Sequence, residues 1–194
     1  MVSKHLDCAT IGCLLIEKGL ITQEQLEEAL QYQKRYGGRL GWILSTLGYV
    51  RRLDFFRTLA ELFNLPFVEG VPNILEKVDN ELVRRFDPEE LVSYEVLPAR
   101  LEGNKVLLFT SYPNSDKLST FVNKHFPGKV VEQVVVTDLD LVKVLQELFK
   151  GAFIDKAVNG LFYLTPEYSA SVVFSEGQVF LMGGLLTPVS YTHL

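Results

Sequence analysis

The sequence is poor in the residues that build disulfide or zinc scaffolds, and it has no long apolar run. Its 194 residues include two cysteines, Cys8 and Cys13, which are too few for a disulfide framework or a four-ligand zinc site. No apolar core of a signal peptide follows the first residues, so the start of the chain predicts a cytoplasmic protein. The longest run of apolar residues and glycine, Val179–Leu186, is far too short to cross a bilayer. These absences exclude a secreted disulfide scaffold, a zinc finger and a polytopic membrane protein.

The chain also lacks the motifs of common catalytic sites. No phosphate-binding GxxxxGK[ST] loop occurs, since a valine follows Gly128 and Lys129. The three histidines are isolated in the sequence and are expected in solvated positions. Asp138 and Asp140 form a D-x-D pair that is better explained as the acidic first turn of a helix capped by Thr137 or Asp138 itself. We therefore predict a chain that is not an enzyme and holds no metal and no cofactor.

Charge is moderate overall and unevenly distributed. A formal net charge of −5 argues against a protein that coats nucleic acid, and we predict neither DNA nor RNA as a partner. Between Lys34 and Arg57, however, six residues are basic and Asp54 alone is acidic. A helix is predicted to begin in this window near Leu40, and its free N–H groups together with Arg39 would favour an anion. The alternative is a solvated basic face that binds nothing.

The first seventy residues contain a repeat with an offset of 29. The positions that recur are Ile11, Gly12, Leu15, Gly19, Leu26 and Leu30, which become Leu40, Gly41, Leu44, Gly48, Phe55 and Leu59. Each copy predicts a short helix, a glycine that ends it and a longer helix, so residues 1–70 are expected to form a tandem helical-hairpin repeat. Thr22 and Gln25 give the longer helix of the first copy a capping-box pattern, whereas Arg51 predicts a weaker start in the second.

Residues 71–150 have a different pattern, in which β-forming runs appear. The predicted elements are a short helix, two strands, a helix, a strand and a helix, over Asn80–Phe86, Tyr94–Leu101, Lys105–Thr110, Asn114–Phe126, Lys129–Val136 and Asp138–Phe149. The order ββαβα predicts a small three-stranded sheet covered by helices. The fold class is therefore α+β, with a tandem helical repeat over 1–70 and an α/β subdomain over 71–150.

The repeated motif resembles a known family. The pattern that begins at Ile11-Gly12, and in complete form at Arg39-Leu40-Gly41, is similar to the tandem RLGxxLxxxGxxxxxxLxxxLxxQ motif of the MshEN domain. MshEN is the amino-terminal domain of type II secretion and pilus-assembly ATPases, and some of its members bind cyclic di-GMP. The resemblance covers roughly residues 9–150. It implies a cyclic di-GMP site formed by Ile11, Gly12, Leu15, Leu26, Leu30, Gln33, Arg39, Leu40, Gly41, Leu44, Phe55 and Leu59.

The sequence departs from the family motif at three places. Thr10 stands at the position of the first arginine, Leu62 at that of the second closing glutamine, and Tyr112 at that of an aspartate common in the family. Each lost polar contact would cost about 1–3 kcal/mol, so the resemblance implies weaker ligand contacts there. A simpler explanation also exists, since the apolar positions would form a helical core without any ligand. Arg39 could then pair on the surface with Glu17 or Glu28.

The residues after 150 resemble another kind of protein. Thr165–Ala170 and Glu176–Gln178, followed by the apolar Val179–Leu186, are similar to the linker of membrane family 2 glycosyltransferases that carry an MshEN-type domain. We therefore expect 151–187 to be a linker leading to a truncated apolar segment, and 188–194 to be a non-native tail of a fragment. The implied parent lies at the inner face of the bacterial cytoplasmic membrane, which it reaches only through the missing carboxy-terminal part.

Two functions follow as hypotheses. The first is a regulatory module for cyclic di-GMP that controls an attached membrane glycosyltransferase for exported polysaccharide, with the downstream catalytic domain of the same chain as its partner. The second is a ligand-free interaction domain of a type II secretion or type IV pilus assembly ATPase. In that case Trp42, Phe56 and Tyr32 would be exposed partner contacts, because aromatic residues are enriched at interfaces. The simpler alternative is that these rings complete the core.

Overall fold

A computed structural model describes residues 10–150 of the chain, so the predicted linker 151–187 and tail 188–194 lie outside the described residues. None of the helices in residues 10–150 is long and apolar enough to cross a membrane. In chain order the elements are α1 (Ile11–Glu17), α2 (Gln23–Tyr36), α3 (Leu40–Thr46), α4 (Arg52–Leu62), α5 (Val71–Leu75), α6 (Asn80–Val83), α7 (Pro88–Tyr94), β1 (Val96–Glu102), β2 (Lys105–Thr110), α8 (Asp116–His125), β3 (Val130–Val135) and α9 (Asp138–Leu148).

Local sequence signals fix the ends of the first helices. The Thr22 hydroxyl accepts from the Gln25 backbone N–H at 3.3 Å, and the Gln25 side chain accepts from the Thr22 N–H at 2.9 Å, which is the predicted capping box of α2. Arg51, before α4, makes no side-chain cap bond, as expected. Gly19 and Gly48 follow α1 and α3 with left-handed φ values of 67° and 76°, a conformation that glycine adopts without steric cost.

The two short helices end with the same hydrogen bond. The Leu20 N–H donates to the Leu15 carbonyl at 2.9 Å, and the Tyr49 N–H donates to the Leu44 carbonyl, also at 2.9 Å. Both bonds have the spacing of a Schellman motif, in which a left-handed residue turns the chain out of the helix. The structure thus contains two pairs of a short and a longer helix, α1–α2 and α3–α4, while their description as a tandem repeat rests on the sequence pattern.

The second half contains the three-stranded sheet. The strand order is β1-β2-β3, with β1 antiparallel to β2 and β2 parallel to β3. A parallel pair needs a crossover connection, and α8 supplies it. The α+β class with one small sheet is therefore confirmed. β1 begins at Val96 rather than at the predicted Tyr94, because α7 continues through Tyr94 and ends at the left-handed Glu95.

The helical half and the sheet share a core at the end of β3. Phe67 forms a parallel bridge with Val135, and the Val68 N–H donates to the Val135 carbonyl at 3.0 Å. Val135 is fully buried, in one cluster with Leu15, Ile21, Ala29, Ile43, Leu44, Val50, Phe55, Phe56, Leu59 and Ala60. The described residues through Leu148 pack as one compact unit, and the division of the chain near residues 70 and 150 stays a prediction.

Two expectations about single side chains are wrong. Trp42 and Tyr32 are exposed, at 49% and 36%, but Phe56 is only 5% exposed. Its ring packs edge-on against Phe55 with 5.5 Å between the ring centroids, so Phe56 belongs to the core and is not a partner contact. His125 is half-buried rather than solvated, because its Nε2 lies 2.8 Å from a carboxylate oxygen of Glu90, a residue distant in the sequence.

Candidate functional site

A cleft lies where the helical half meets the carboxyl ends of β2 and β3. Parts of α3 and α4 form one wall, and the segment after β2 and the start of α9 form the other. Because β2 and β3 are parallel, their carboxyl ends meet at one edge of the sheet, and the residues that follow them come together there. We call this region the arginine cleft; it is lined by Arg39, Gly41, Trp42, Arg52, Phe55, Phe56, Tyr112 and Asp138.

Arg39 precedes α3 and reaches across to the sheet-containing half. Its Nη1 pairs with Glu95 Oε2, and the same Glu95 oxygen accepts from the Ser111 hydroxyl at 3.1 Å. The side chains of the pair are 39% and 25% exposed, so solvent screens the attraction only in part. The alternative of surface pairing with Glu17 or Glu28 is therefore wrong, since the partner of Arg39 comes from the end of α7.

The ring of Tyr112 covers another side of Arg39. The guanidinium carbon of Arg39 lies 4.0 Å from the ring centroid, well within the range of a cation–π contact. Burial raises the pKa of the Tyr112 hydroxyl; Arg39 opposes this effect, and the carboxylates of Glu95 and Asp138 add to it. The phenol is therefore neutral at physiological pH, and one face of its ring is stacked against the Arg39 guanidinium.

A second arginine of the cleft is also paired with an acid. Nη1 of Arg52, at the start of α4, lies 2.7 Å from both carboxylate oxygens of Asp138, and the two side chains are 30% and 37% exposed. Asp138 opens α9, where the Thr137 hydroxyl accepts from the Asp140 N–H at 3.0 Å, which is the capping role predicted for this segment. Among residues 10–150, no three acidic, histidine or cysteine side chains converge in a way that could hold a metal ion.

Two glycines allow close contact between helices of the helical half. A Cβ atom on Gly41 would lie within 2.8 Å of three ring carbons of Phe55, and one on Gly12 would lie 2.8 and 2.9 Å from the two δ-carbons of Leu26. The positions correspond across the 29-residue offset, since 12 and 26 become 41 and 55. The space over each glycine is thus filled by the chain itself, so these glycines serve helix packing in this structure.

The predicted ligand residues divide into three groups. Arg39, Gly41 and Phe55 line the arginine cleft. The buried ones outside its lining are Gly12, Leu15, Leu44 and Leu59, with Ile11, Leu26 and Leu40 partly buried. Leu30 is 44% exposed, and the Gln33 amide donates to the Gly38 carbonyl at 2.8 Å, which holds the turn between α2 and α3. The structure therefore brings second-copy residues into the cleft and does not bring first-copy residues there.

Several residues that line the cleft, or pair with a residue that does, were not among the predicted ligand residues. Arg52 was noted only within the basic window, Asp138 only as a cap, and Glu95 not at all. Tyr112 was noted only as a departure from the family motif. Their positions in the sequence could have indicated them. Tyr112 and Asp138 follow the two strands that pair in parallel, and the carboxyl ends of parallel strands lie at one edge of the sheet.

The cleft encloses only about 30 Å³, but its lining combines groups that bind anions with aromatic rings. Guanidinium groups bind phosphate in a charge-assisted, bidentate geometry, and two of them line one cleft. The rings of Tyr112 and the half-exposed Trp42 offer faces on which a purine base could stack. At present each arginine is neutralised by one carboxylate, so an anion would have to exchange with Glu95 or Asp138.

Comparison with known proteins identifies a matching domain family and a curated relative. Residues 63–153 match the sequence model of the MshEN domain. The Type IV pilus assembly ATPase PilB of Thermus thermophilus is 29% identical over 146 residues, which is 75% of this chain and 15% of that protein. The chain thus spans about a seventh of the length of this curated relative.

Two solved structures resemble the described fold. A structure of MshE with cdg, that is, cyclic di-GMP, has a TM-score of 0.64 and 26% sequence identity over 72% of this chain and 99% of that chain. The N-terminal domain of XpsE has a TM-score of 0.56 and 18% identity over 75% of this chain and 97% of that chain, a likeness of fold alone. Residues 63–153 thus match the MshEN domain family, and the chain is related to MshE and to a pilus-assembly ATPase.

Proposed function

We propose that this chain is a regulatory module that binds a cyclic dinucleotide, cyclic di-GMP in particular, in the arginine cleft. The observation that carries the proposal is the convergence of Arg39 and Arg52 on one cleft, with the ring of Tyr112 4.0 Å from the Arg39 guanidinium carbon. The relationship to MshE, whose structure contains cyclic di-GMP, supports the same ligand class.

Each part of the ligand would meet a matching group. The phosphates would bind the guanidinium groups of Arg39 and Arg52, which are permanently charged. A guanine base would stack on Trp42 or Tyr112, where a flat apolar surface is available. Gln33 would contact a guanine edge after release of its bond to Gly38, as the family resemblance implies.

Binding would regulate by changing how the helical half is held against the sheet. Arg39 and Arg52 belong to the helical half, and their partners Glu95 and Asp138 belong to the sheet-containing half. A ligand that binds both arginines breaks these two ion pairs. The equilibrium between the paired arrangement of the two halves and a released one then shifts only by the difference in the ligand's affinity for them.

The proposed target is a catalytic domain attached to the same chain, at the inner face of the bacterial cytoplasmic membrane. The sequence after residue 150 favours a family 2 glycosyltransferase, whereas the relationship to the pilus-assembly ATPase favours an ATPase. The coding sequence beyond residue 187 distinguishes them: transmembrane segments followed by a D-x-D transferase support the first parent, and a phosphate-binding loop supports the second.

Calorimetric titration of the full chain with cyclic di-GMP tests the ligand. We expect a saturable heat with one binding isotherm, and a loss of about tenfold or more in affinity for Arg39→Ala, since a charged hydrogen bond is worth about 1.5–3 kcal/mol. Arg57→Ala is the matched control, because Arg57 lies on the same helix as Arg52 but pairs with Glu69 outside the cleft. Absence of heat at high micromolar ligand would remove the proposal.

The second candidate is a ligand-free interaction domain of a secretion or pilus ATPase, which would dock a secretion-platform or synthase subunit. It is favoured by the 49% exposure of Trp42, since large exposed aromatic side chains mark interaction surfaces. In this case Trp42→Ala abolishes capture of the partner subunit while cyclic di-GMP produces no heat. Partner capture that survives Trp42→Ala would count against the role of this surface.

A further inference from the structure

Glu95, the partner of Arg39, is held in an unusual backbone conformation. It follows α7 with φ 55° and ψ 45°, a left-handed conformation that is uncommon for residues other than glycine and asparagine. Its carbonyl accepts from the Thr110 hydroxyl at 3.1 Å, and its carboxylate accepts from the Ser111 hydroxyl at 3.1 Å. Both hydroxyl-bearing residues are fully buried, so Glu95 is fixed from the inside of the fold.

The fixed carboxylate points to Arg39. A glycine would end α7 with less strain, but it would leave Arg39 without the carboxylate that now pairs with its Nη1. The Tyr112 ring lies over the same guanidinium, and together these two groups occupy Arg39 when no ligand is bound. A phosphate that binds Nη1 of Arg39 has to displace the carboxylate, and a phosphate that binds its other N–H groups has that negative charge beside it.

We propose that Glu95 sets the affinity of the cleft for its ligand, as an internal carboxylate that competes with ligand phosphate for Arg39. The inference rests on the proposed function and deepens it. A mononucleotide offers a single phosphate and gains little from exchanging one anion for another at Arg39. A cyclic dinucleotide has a second phosphate and two bases, which reach Arg52 and the aromatic rings while the first phosphate displaces Glu95. The competition therefore lowers the affinity of both ligand classes by a similar factor, and the dinucleotide offsets this loss with its additional contacts.

The size of the effect follows from the exposure of the pair. Because the Arg39 and Glu95 side chains are 39% and 25% exposed, their attraction lies in the range of a partly screened surface pair, so its removal should change ligand affinity about two- to fivefold. Glu95→Gln keeps the shape of the side chain and removes its charge. Glu95→Gly also removes the charge, and it suits the left-handed backbone, so this variant is expected to fold.

The test is calorimetric titration of the full-length wild type, Glu95→Gln and Glu95→Gly with cyclic di-GMP and with GMP. Asn64→Gly is the matched control, because Asn64 has the same left-handed backbone, φ 51°, at the end of α4 and does not line the arginine cleft. We expect both Glu95 variants to bind cyclic di-GMP about two- to fivefold more tightly, with a gain of similar size for GMP and no change for Asn64→Gly.

The other outcomes separate this inference from the proposed function. Binding by the wild type with equal or weaker binding by both Glu95 variants overturns the competition and leaves the proposed function standing. Binding by the Glu95 variants but not by the wild type overturns both the expected two- to fivefold size of the competition and the proposed function of the wild-type chain. If no variant binds cyclic di-GMP, both the proposed function and this inference are overturned.

Discussion

Adding one methyl group at Gly41 should destabilise the chain through the Phe55 ring. The new Cβ would lie within 2.8 Å of three ring carbons, and Phe55 is only 4% exposed and packs edge-on against Phe56. Overpacking of this kind lowers the free energy of unfolding by about 1–3 kcal/mol. Replacing glycine by alanine in a helix raises it by up to about 1 kcal/mol, because alanine favours the helix. We therefore expect Gly41→Ala to lower the free energy of unfolding by about 1–2 kcal/mol.

Gly12→Ala is the matched comparison within the same chain. There the new Cβ would meet the ends of a flexible, half-buried Leu26 side chain, which can rotate away, so the net change should stay within about 0.5 kcal/mol. Urea unfolding followed by far-ultraviolet circular dichroism measures both variants. A Gly41→Ala protein as stable as the wild type would refute the reasoning about the Phe55 contact.

A second substitution tests whether the contact is the cause. Leucine stands in the first copy where Phe55 stands in the second, and a flexible leucine side chain, unlike the rigid ring, can rotate away from a Cβ at Gly41. Phe55→Leu combined with Gly41→Ala should therefore be more stable than the sum of the two single changes predicts. Strict additivity would show that the two positions do not contact each other.

Two further predictions concern a helix cap and an acid-sensitive carboxylate. Thr22→Ala should lower the free energy of unfolding, measured with urea, by about 1 kcal/mol through loss of the capping box. Arg51→Ala is the control and should change this free energy little, because Arg51 makes no side-chain cap bond. Equal effects of the two substitutions would contradict the capping argument. Hydrogen bonds from Lys124 and His125 lower the pKa of Glu90 below its ordinary 4.5. The stability that Glu90 contributes is therefore complete above pH 4.5 and is lost as the pH falls through the lowered pKa. Glu90→Gln should consequently flatten the acid side of the curve of unfolding free energy against pH. An unchanged acid side would contradict this role of Glu90.

The sequence carried enough information for the elements of this fold because their ends depend on near neighbours. The Thr22 capping box joins residues three positions apart, Gly19 and Gly48 end their helices by backbone freedom alone, and Asn64 takes a left-handed conformation with φ 51°. The strand pattern of the second half is equally local, since it depends on alternation and on the turn at Gly103. Such local features do not depend on how the rest of the chain packs.

The site was harder to predict because its contacts join distant parts of the chain. Arg39 and Glu95 are 56 residues apart, and Arg52 and Asp138 are 86 apart. Their pairing depends on how the helical half docks on the sheet, which no local pattern specifies. The same docking buries Phe56, which a helical pattern alone could have left exposed.

The most direct test of the central claim is to observe the cleft arginines themselves while ligand is added. We would follow the guanidinium nuclear magnetic resonance signals of the full chain, assigned with Arg39→Lys and Arg52→Lys, during titration with cyclic di-GMP. The account predicts that both signals shift together and saturate along one binding curve, while the signal of Arg57 stays in place. Saturable binding that leaves Arg39 and Arg52 unmoved would contradict it.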